Sequence, residues 1–301
     1  MTRPVPPVAS VTAIVVHRDQ PDRCAETVRR LGRQGVGVCV VVVDNASTES
    51  AVECVRALPG VDRVVQAGGN LGFGGGANAG LRAWLADPAA GEWAVVLPHD
   101  ALPEDACLER MLDAVAGRPR AGMACAEFGD DEKPVVDPYF GGMTVRAERG
   151  EGWEPAGFAH GTLLLVRRAC LADVGLFEED YFAYCEEADL SIRATRAGWE
   201  VGMVWGAVVT NPHQGSPPPL VDYLMVRNTV VLVRRHFGLY NATIRFLMAA
   251  GTTVWLTLRP SKRTPWFDTR ARVLALRDVV LGRQGPPPAS LTAAPSSFRR
   301  Q

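Results

Sequence analysis

Short, continuous apolar runs alternate with amphipathic segments along the first half of the chain. They predict buried strands at residues 11–16, 38–43, 63–66, 93–97 and 123–128. The intervening segments have helical periodicity, at residues 21–35, 50–58, 77–86 and 104–116. Apolar strands separated by helices are typical of parallel sheets that are covered on both faces. The pattern therefore predicts an α/β fold with a doubly wound, mostly parallel sheet.

The second half of the chain is less regular. A polar, glycine-rich segment predicts a long loop or hairpin at 129–157, and strands are predicted at 162–166 and 200–209 with a short helix to Gly175 between them. Prolines at 217–219 interrupt the chain, and helical patterns follow at 220–237, 240–258 and 264–281. These shifts predict an α/β domain over 1–216, a helical appendage over 217–284 and a disordered tail over 285–301.

Two aspartates stand where predicted strands end. Asp44 follows the second strand directly, and Asp100 follows the strand at 93–97. In parallel sheets ligands bind beyond the carboxyl ends of the strands. Asp44 could accept a hydrogen bond from a nucleotide base or ribose, and Asp100 could hold a divalent cation such as Mg²⁺. For either residue alone, a helix cap or a turn is the structural alternative.

A glycine-rich stretch, GGNLGFGGGANAG, occupies residues 68–80, and we predict a loop over 68–76. Glycine permits positive φ and close backbone approach, so this loop can surround an anionic or nucleotide ligand, with amides from Asn70 and Asn78. A structural turn is the alternative. A nicotinamide-dependent oxidoreductase is disfavoured, because the dinucleotide fingerprint follows the first strand of its unit and this stretch follows the third.

Three carboxylates, Glu186, Glu187 and Asp189, open the helical pattern in YFAYCEEADLSIRATRAG at 181–198. Acids in a first turn complement the helix dipole, and Asp189 has the i,i+4 spacing of an ion pair with Arg193. An ordinary capped helix explains these acids. The alternative is that one of them reaches into a cleft and acts as a base.

Composition limits which binding partners and which cellular compartment we expect for this protein. The formal net charge of −1 provides no field that favours nucleic acid, and the seven cysteines form no C-x-x-C pair, as expected of free thiols in a reducing compartment. The longest apolar run, 246–258, is too short to span a bilayer, and the first residues lack the apolar core of a signal peptide. We expect a cytoplasmic protein.

Four motifs occur in an order that resembles family 2 glycosyltransferases, closest to the bacterial rhamnosyltransferase-like branch. They are VVVVDNAST at 40–48, GNLGFGGGANAG at 69–80, LPHD at 97–100 and YCEEADL at 184–190. The resemblance covers roughly residues 10–240. It implies a GT-A fold, with a nucleotide-sugar-binding and catalytic domain over 1–216, and an inverting, single-displacement transfer of a sugar from a nucleoside diphosphate.

The resemblance also implies roles for individual residues. Glu187 would be the catalytic base. Asp100 and His213 would hold Mg²⁺ or Mn²⁺. We assign the donor site to His17, Asp44, Asn70, Gly72, Phe73, Asn78 and His99, and the acceptor site to His160, Gly161 and Glu186, with Asp189 as a structural residue.

Two departures from the family pattern keep a second function open. Pro98 stands where the metal motif often has its first acid, and Glu187 replaces the usual aspartate. A non-catalytic nucleotide-sugar- or glycan-binding module of the same fold is therefore the alternative. For an enzyme, the expected donor is a dTDP-, UDP- or GDP-sugar, and the acceptor is a glycan, a lipid-linked molecule or a small molecule. The C-terminal helices would form a homodimer or touch the inner face of the membrane.

Overall fold

The computed structural model describes residues 11–148, 150–212 and 216–292. The strands, in chain order, are β1 (Val11–His17), β2 (Val38–Asp44), β3 (Arg63–Gln66), β4 (Trp93–Pro98), β5 (Leu102–Pro103), β6 (Ala121–Glu127), β7 (Glu132–Asp137), β8 (Gly141–Arg146), β9 (Gly152–Pro155), β10 (Leu164–Arg167) and β11 (Glu200–Thr210). The α-helices are α1 (Pro21–Leu31), α2 (Glu49–Arg56), α3 (Gly72–Ala86), α4 (Cys107–Val115), α5 (Arg168–Val174), α6 (Glu186–Arg196), α7 (Pro218–Leu258), α8 (Thr269–Val280) and α9 (Ala289–Thr292).

The main sheet has the strand order β3-β2-β1-β4-β10-β6-β11-β5, with β9 paired to β11, while β7 and β8 pair separately. The four strands from β3 to β4 are parallel, which confirms the predicted parallel arrangement for this half. β10 runs antiparallel to both of its neighbours, so the other half of the sheet is mixed. The architecture is an α/β fold with a mixed sheet and a long C-terminal helix.

Alternation along β1 explains how this sheet is covered on both faces. Ala13 and Val15 belong to one buried cluster, which includes residues of α1 and α4, and Ile14 and Val16 belong to a second, which includes residues of α3. Successive side chains on a strand point to opposite faces, so a continuous apolar strand fills both layers. Apolar packing therefore covers both faces of the strands whose carboxyl ends carry polar residues.

α3 begins at Gly72, so the predicted loop over 68–76 and helix start at Ala77 are wrong for Gly72–Gly76. Glycines weaken helices, but here close packing requires them. A side-chain carbon on Gly76 would lie 2.9 Å from a methyl group of Val16, and one on Gly80 would lie 2.9 Å from a methyl group of Val43. Part of the glycine-rich stretch thus lets a helix lie close to the sheet.

The described residues belong to two compact units. The first comprises Met1–Val135, Thr144–Glu178 and Glu187–His213, without its undescribed positions, and it contains the main sheet. The second comprises Val136–Met143, Glu179–Glu186 and Gln214–Gln301, again only where described. The second unit therefore combines the C-terminal helices with two short segments that lie earlier in the chain.

Helices dominate the second unit. Gly238, with φ 88° and ψ 177°, interrupts α7 between the two predicted helical patterns. α8 packs on α7, where the Tyr223 hydroxyl donates to Asp278 at 2.8 Å and Arg272 pairs with Asp222. Within the predicted disordered tail over 285–301, the structure has the short helix α9, and residues 293–301 lie outside the described residues. Among the described residues, no helix combines the length and apolarity needed to cross a membrane.

Candidate active site

The carboxyl ends of β1, β2 and β4 bring three of the predicted donor residues together. His17 and Asp44 are register partners at the ends of β1 and β2, and His17 Nδ1 lies 4.0 Å from an Asp44 carboxylate oxygen. The ring of His99, just beyond β4, meets the His17 ring edge-on with 5.4 Å between centroids. The site thus lies at the edge where α/β sheets bind ligands.

Hydrogen bonds determine which ring nitrogen of neutral His17 carries the proton. Its Nε2 accepts from the Gln20 backbone N–H at 3.2 Å, so in the neutral ring Nδ1 carries the proton and faces the Ser47 hydroxyl at 3.3 Å. Burial, followed by the neighbouring His99, lowers the pKa of His17 to about 4. The ring is therefore neutral at pH 7 and orients the loop after β2 rather than supplying positive charge.

His99 and Asp100 are both held by their neighbours. The Val16 carbonyl is 3.2 Å from His99 Nδ1 and accepts its proton, which leaves a lone pair on Nε2. That Nε2 atom is buried and has no hydrogen-bond partner among the described residues. Asp100 is buried, accepts from the Asn211 amide at 3.3 Å and lies 4.0 Å from an Arg23 guanidinium nitrogen. A buried nitrogen acceptor, His99 Nε2, and a buried carboxylate, that of Asp100, thus belong to consecutive residues.

Asn45 fastens the glycine-rich stretch to the end of β2. Its side chain accepts from the Leu71 backbone N–H at 2.9 Å and donates to the Gly72 carbonyl at 2.8 Å. Asn70 in turn accepts from the Gly72 N–H at 3.2 Å. Gly72 has φ 74°, a conformation that favours glycine. Asn70 and Gly72 therefore lie beside the loop that follows Asp44.

Phe73 connects the predicted donor and acceptor residues. A side-chain carbon on Gly161 would approach the Phe73 ring to 3.2 Å, so glycine at 161 leaves room for that ring. His160, the preceding residue, donates from Nε2 to the Ala126 carbonyl at 2.6 Å and stacks on Phe128. Burial lowers the pKa of His160 to about 4, so this ring is also neutral at pH 7.

The three acids at the start of α6 have different surroundings. Asp189 is fully buried and accepts from Arg193 Nε at 2.8 Å, in the ion pair that the i,i+4 spacing predicts. Arg193 also donates to the Val174 and Leu176 carbonyls. Glu186 is buried, whereas Glu187 is half-buried and belongs to the same unit as Asp44 and Asp100. Of the three acids, Glu187 is the only one that is partly exposed.

The backbone before α6 is strained. Phe182, Tyr184 and Cys185 have φ of 67°, 67° and 78°, in a region that costs non-glycine residues about 1 kcal/mol or more each. Asn228 of α7 donates from its side-chain amide to the carbonyls of Tyr181, Ala183 and Tyr184 at 2.7–2.9 Å. Arg227 binds the Tyr181 carbonyl and the Asn228 side chain. These two residues hold a conformation that the chain would not adopt alone.

The side chain of one predicted donor residue, Asn78, bonds away from these strand ends. The Asn78 amide is buried and pairs with the backbone of Phe177, donating to its carbonyl at 2.9 Å and accepting from its N–H at 3.1 Å. Its contacts are therefore structural, and we leave it out of the donor site proposed below. His213 lies outside the described residues.

The sequence analysis missed residues that organise the site. Asn45 and Ser47 come one and three residues after Asp44. The mostly polar segment after a buried strand could have indicated that they belong to the site. Ser47 donates its N–H to Asp44 at 3.1 Å and accepts from the Asp19 N–H at 2.9 Å, so it ties the loops after β1 and β2. Nothing in the local pattern at Asn228 indicated its contacts, because they are made with residues more than forty positions away.

The fold and this edge of the sheet define a class, the GT-A glycosyltransferases. A mannosyltransferase from Pyrobaculum calidifontis in complex with GDP-Man and Mn²⁺ is similar in fold, with a TM-score of 0.60 at 16% identity, over 91% of this chain and 87% of that one. GalNAc-T7 with UDP, GalNAc and Mn²⁺ gives 0.55 at 12% identity, over 91% of this chain and 56% of that one.

The family follows from the sequence itself. The model of the glycosyltransferase-like family 2 matches residues 6–229, and the chain belongs to this family of glycosyltransferases. An N-acetylglucosaminyl-diphospho-decaprenol L-rhamnosyltransferase of Mycobacterium tuberculosis is 30% identical over 246 residues, covering 70% of this chain and 80% of that protein. The succinoglycan biosynthesis protein ExoO of Rhizobium meliloti is 35% identical over 133 residues, 44% of this chain and 34% of that one.

Proposed function

We propose that this glycosyltransferase transfers a sugar from a nucleoside diphosphate to an acceptor hydroxyl, with inversion and with Glu187 as the base. The observation that carries the proposal is the meeting of His17, Asp44 and His99 at the carboxyl edge of β1, β2 and β4. Glu187 belongs to the same compact unit. A carboxylate and fixed hydrogen-bond groups are what recognition of a nucleotide requires there.

In the donor site that we propose, Asp44 accepts a hydrogen bond from the base or the ribose. One Asp44 oxygen already accepts from Ser47, which fixes the orientation of the carboxylate. Asn70, Gly72 and Phe73 lie on the neighbouring glycine-rich stretch and would line the nucleotide. His17 and His99 would set the shape and polarity of this pocket as neutral rings.

Asp100 fits a divalent cation that is shared with the substrate. Mg²⁺ and Mn²⁺ commonly bind one or two carboxylates together with substrate phosphates, and Asp100 supplies one such carboxylate. His99 Nε2, which has no hydrogen-bond partner in the described part of the chain, is a second acceptor on the preceding residue, and His213 stays a predicted ligand. Among the described residues there is no group of three acidic, histidine or cysteine ligands. When bound, the cation would stabilise negative charge on the departing diphosphate.

The reaction that we propose is a single displacement. Glu187 removes the proton of an acceptor hydroxyl as its oxygen bonds to the anomeric carbon. The bond from that carbon to the diphosphate oxygen breaks, and the nucleoside diphosphate leaves with the electron pair. Attack from the face opposite the leaving group inverts the anomeric centre. One carboxylate at the reacting carbon suffices, which agrees with Asp189 being engaged by Arg193.

The relatives suggest which substrates to test first. The mycobacterial relative is an L-rhamnosyltransferase whose name specifies a diphospho-decaprenol acceptor, and the archaeal structure contains GDP-Man. We therefore propose a dTDP-, UDP- or GDP-sugar as donor, with an activated rhamnose as the first candidate, and a lipid-linked glycan as acceptor. His160, Gly161 and Glu186 remain the predicted acceptor residues.

A donor screen tests this proposal. The melting temperature is measured with dTDP-, UDP- and GDP-sugars, with and without Mn²⁺, and release of nucleoside diphosphate is then followed for each donor that binds. We expect one nucleotide class to raise the melting temperature, more strongly with Mn²⁺, and to be turned over. Binding without turnover across acceptors and metals would favour the non-catalytic binding module. Stabilisation by a nicotinamide dinucleotide alone would refute the assignment.

In the same screen, Asp100→Ala tests the cation. We expect this variant to lose the additional stabilisation by Mn²⁺ while it keeps the metal-free response to the nucleotide. Asp105→Ala, at an exposed aspartate of the same region, is the control and should respond as the wild type does.

A further inference from the structure

The second half of α7 exposes apolar side chains where a surface helix usually exposes polar ones. Tyr240, Leu247, Val254 and Leu258 are 72%, 62%, 60% and 76% exposed. Their spacing of seven, seven and four residues places them in one row along the helix, and we call this row the apolar stripe. The buried residues of this half, such as Ala242, Ala249 and Leu256, fall on the opposite side.

Exposed apolar residues are concentrated in the part of the chain that carries the apolar stripe. Ten of the fifteen exposed large hydrophobic residues in the described part of the chain lie between Leu239 and Leu281. Two of them, Trp255 and Trp266, are tryptophans, which favour the boundary between water and lipid. An exposed apolar surface of this kind marks an interaction site.

The segment that carries the stripe has charged residues of one sign only. Residues 223–267 contain no aspartate or glutamate, and their seven basic residues are Arg227, Arg234, Arg235, Arg245, Arg259, Lys262 and Arg263. Arg259 and Lys262 are exposed just beyond the end of the stripe, and the Arg259 guanidinium lies 6.0 Å from the Trp255 ring centroid. Arg263 donates to the Leu256 and Thr257 carbonyls and closes the end of the helix.

We propose that the apolar stripe binds the surface of an anionic membrane, with Arg259 and Lys262 at the lipid phosphates. Helices that lie in the plane of a bilayer combine an apolar face with basic residues and aromatic side chains at the interface. A second copy of the chain fits less well, because a symmetric contact between two stripes would bring basic residues together without acids of the segment to neutralise them. The segment lies beyond residue 229, where the family match ends.

Flotation with lipid vesicles tests the proposal on the full chain. Vesicles of phosphatidylcholine alone are compared with vesicles that contain about one third phosphatidylglycerol. We expect the wild type to float with the anionic vesicles and not with the neutral ones. Leu247→Gln with Leu258→Gln removes apolar contact without a change in charge, and Arg259→Ala with Lys262→Ala removes two charges. Each pair should weaken the apparent affinity about tenfold or more.

Two matched controls separate the stripe from general effects. Tyr139→Gln with Met143→Gln changes exposed apolar residues outside the stripe, and Arg56→Ala with Arg63→Ala removes two exposed positive charges from the first unit. Both controls should float as the wild type does, and circular dichroism and melting temperature verify that every variant is folded. Absence of wild-type flotation with anionic vesicles would overturn the proposal. A solution dimer that the two Leu→Gln changes dissociate would overturn it in favour of a second copy.

Discussion

The side-chain amide of Asn228 donates to the backbone carbonyl of Tyr184 at 2.9 Å, just before the chain enters α6. Tyr184 is one of three residues with positive φ in this short loop, and the same amide also binds the Tyr181 and Ala183 carbonyls. Glu187 follows within three residues. Asn228 therefore holds the loop that leads into α6, and we expect it to act as a positioning residue for the proposed base.

Replacing Asn228 should separate catalysis from donor binding. In Asn228→Ala the carbonyls lose their common donor and the strained loop relaxes, so kcat should fall by about a hundredfold if Glu187 moves by an ångström. The KM for the donor should change little. Steady-state kinetics checks this split, with Asn241→Ala on the same helix as the control. A larger effect on donor KM than on kcat would contradict the positioning role.

Asp44→Asn should weaken donor binding. Asparagine still has an oxygen that can accept from the Ser47 N–H, but the charge that faces the base or ribose is lost. A hydrogen bond to a charged group contributes about 1.5–3 kcal/mol, so the dissociation constant of the donor should rise about tenfold or more. Calorimetric titration with the donor measures this change.

Asp62→Asn is the matched control for that titration. Asp62 accepts from the Val40 N–H at 2.7 Å, far along β2 from Asp44, and its replacement should leave the dissociation constant unchanged. Equal donor affinity in Asp44→Asn and the wild type would remove Asp44 from the donor site.

Stability should fall as the pH drops below about 6.5. Burial lowers the pKa of His160 to about 4, so the unfolded chain binds this proton before the folded protein does. The contribution of the neutral ring is fully present above pH 6.5 and is lost as the pH falls towards 4, by about 1.4 kcal/mol per pH unit. The lowered pKa of His17 acts in the same direction.

Urea unfolding at pH 7, 6 and 5 measures this dependence. His160→Gln provides an amide N–H for the Ala126 carbonyl without a group that titrates in this range, so its unfolding free energy should depend less on pH. An identical pH dependence in the variant and the wild type would contradict the assignment to His160.

The parallel half of the sheet could be predicted because its strands are continuous apolar runs. Within residues 11–16 and 38–43, Thr12 is the one residue with a polar hydroxyl. We therefore expected both faces of these strands to be buried. The position of β10 between β4 and β6 could not be predicted, because strand order depends on contacts between distant segments. The antiparallel direction of β10 could not be predicted for the same reason.

Site residues at strand ends could be predicted from the sequence, whereas the contacts of residues within helices could not. Asp44 and Asp100 could be placed because strands of a parallel sheet end at a common edge. The contact of the Asn78 amide with the Phe177 backbone could not be predicted, because the two residues are 99 positions apart. Gly76 and Gly80 suggested a ligand loop, but the structure explains both by close packing of α3 on β1 and β2.

The most direct test of the central claim is turnover by Glu187→Gln. Glutamine has the same shape but cannot take a proton, so release of nucleoside diphosphate in the presence of acceptor should fall by about 10²–10⁴-fold while the donor dissociation constant stays the same. Glu200→Gln, at the exposed start of β11, should keep wild-type activity. Turnover of Glu187→Gln at the wild-type rate would contradict the account.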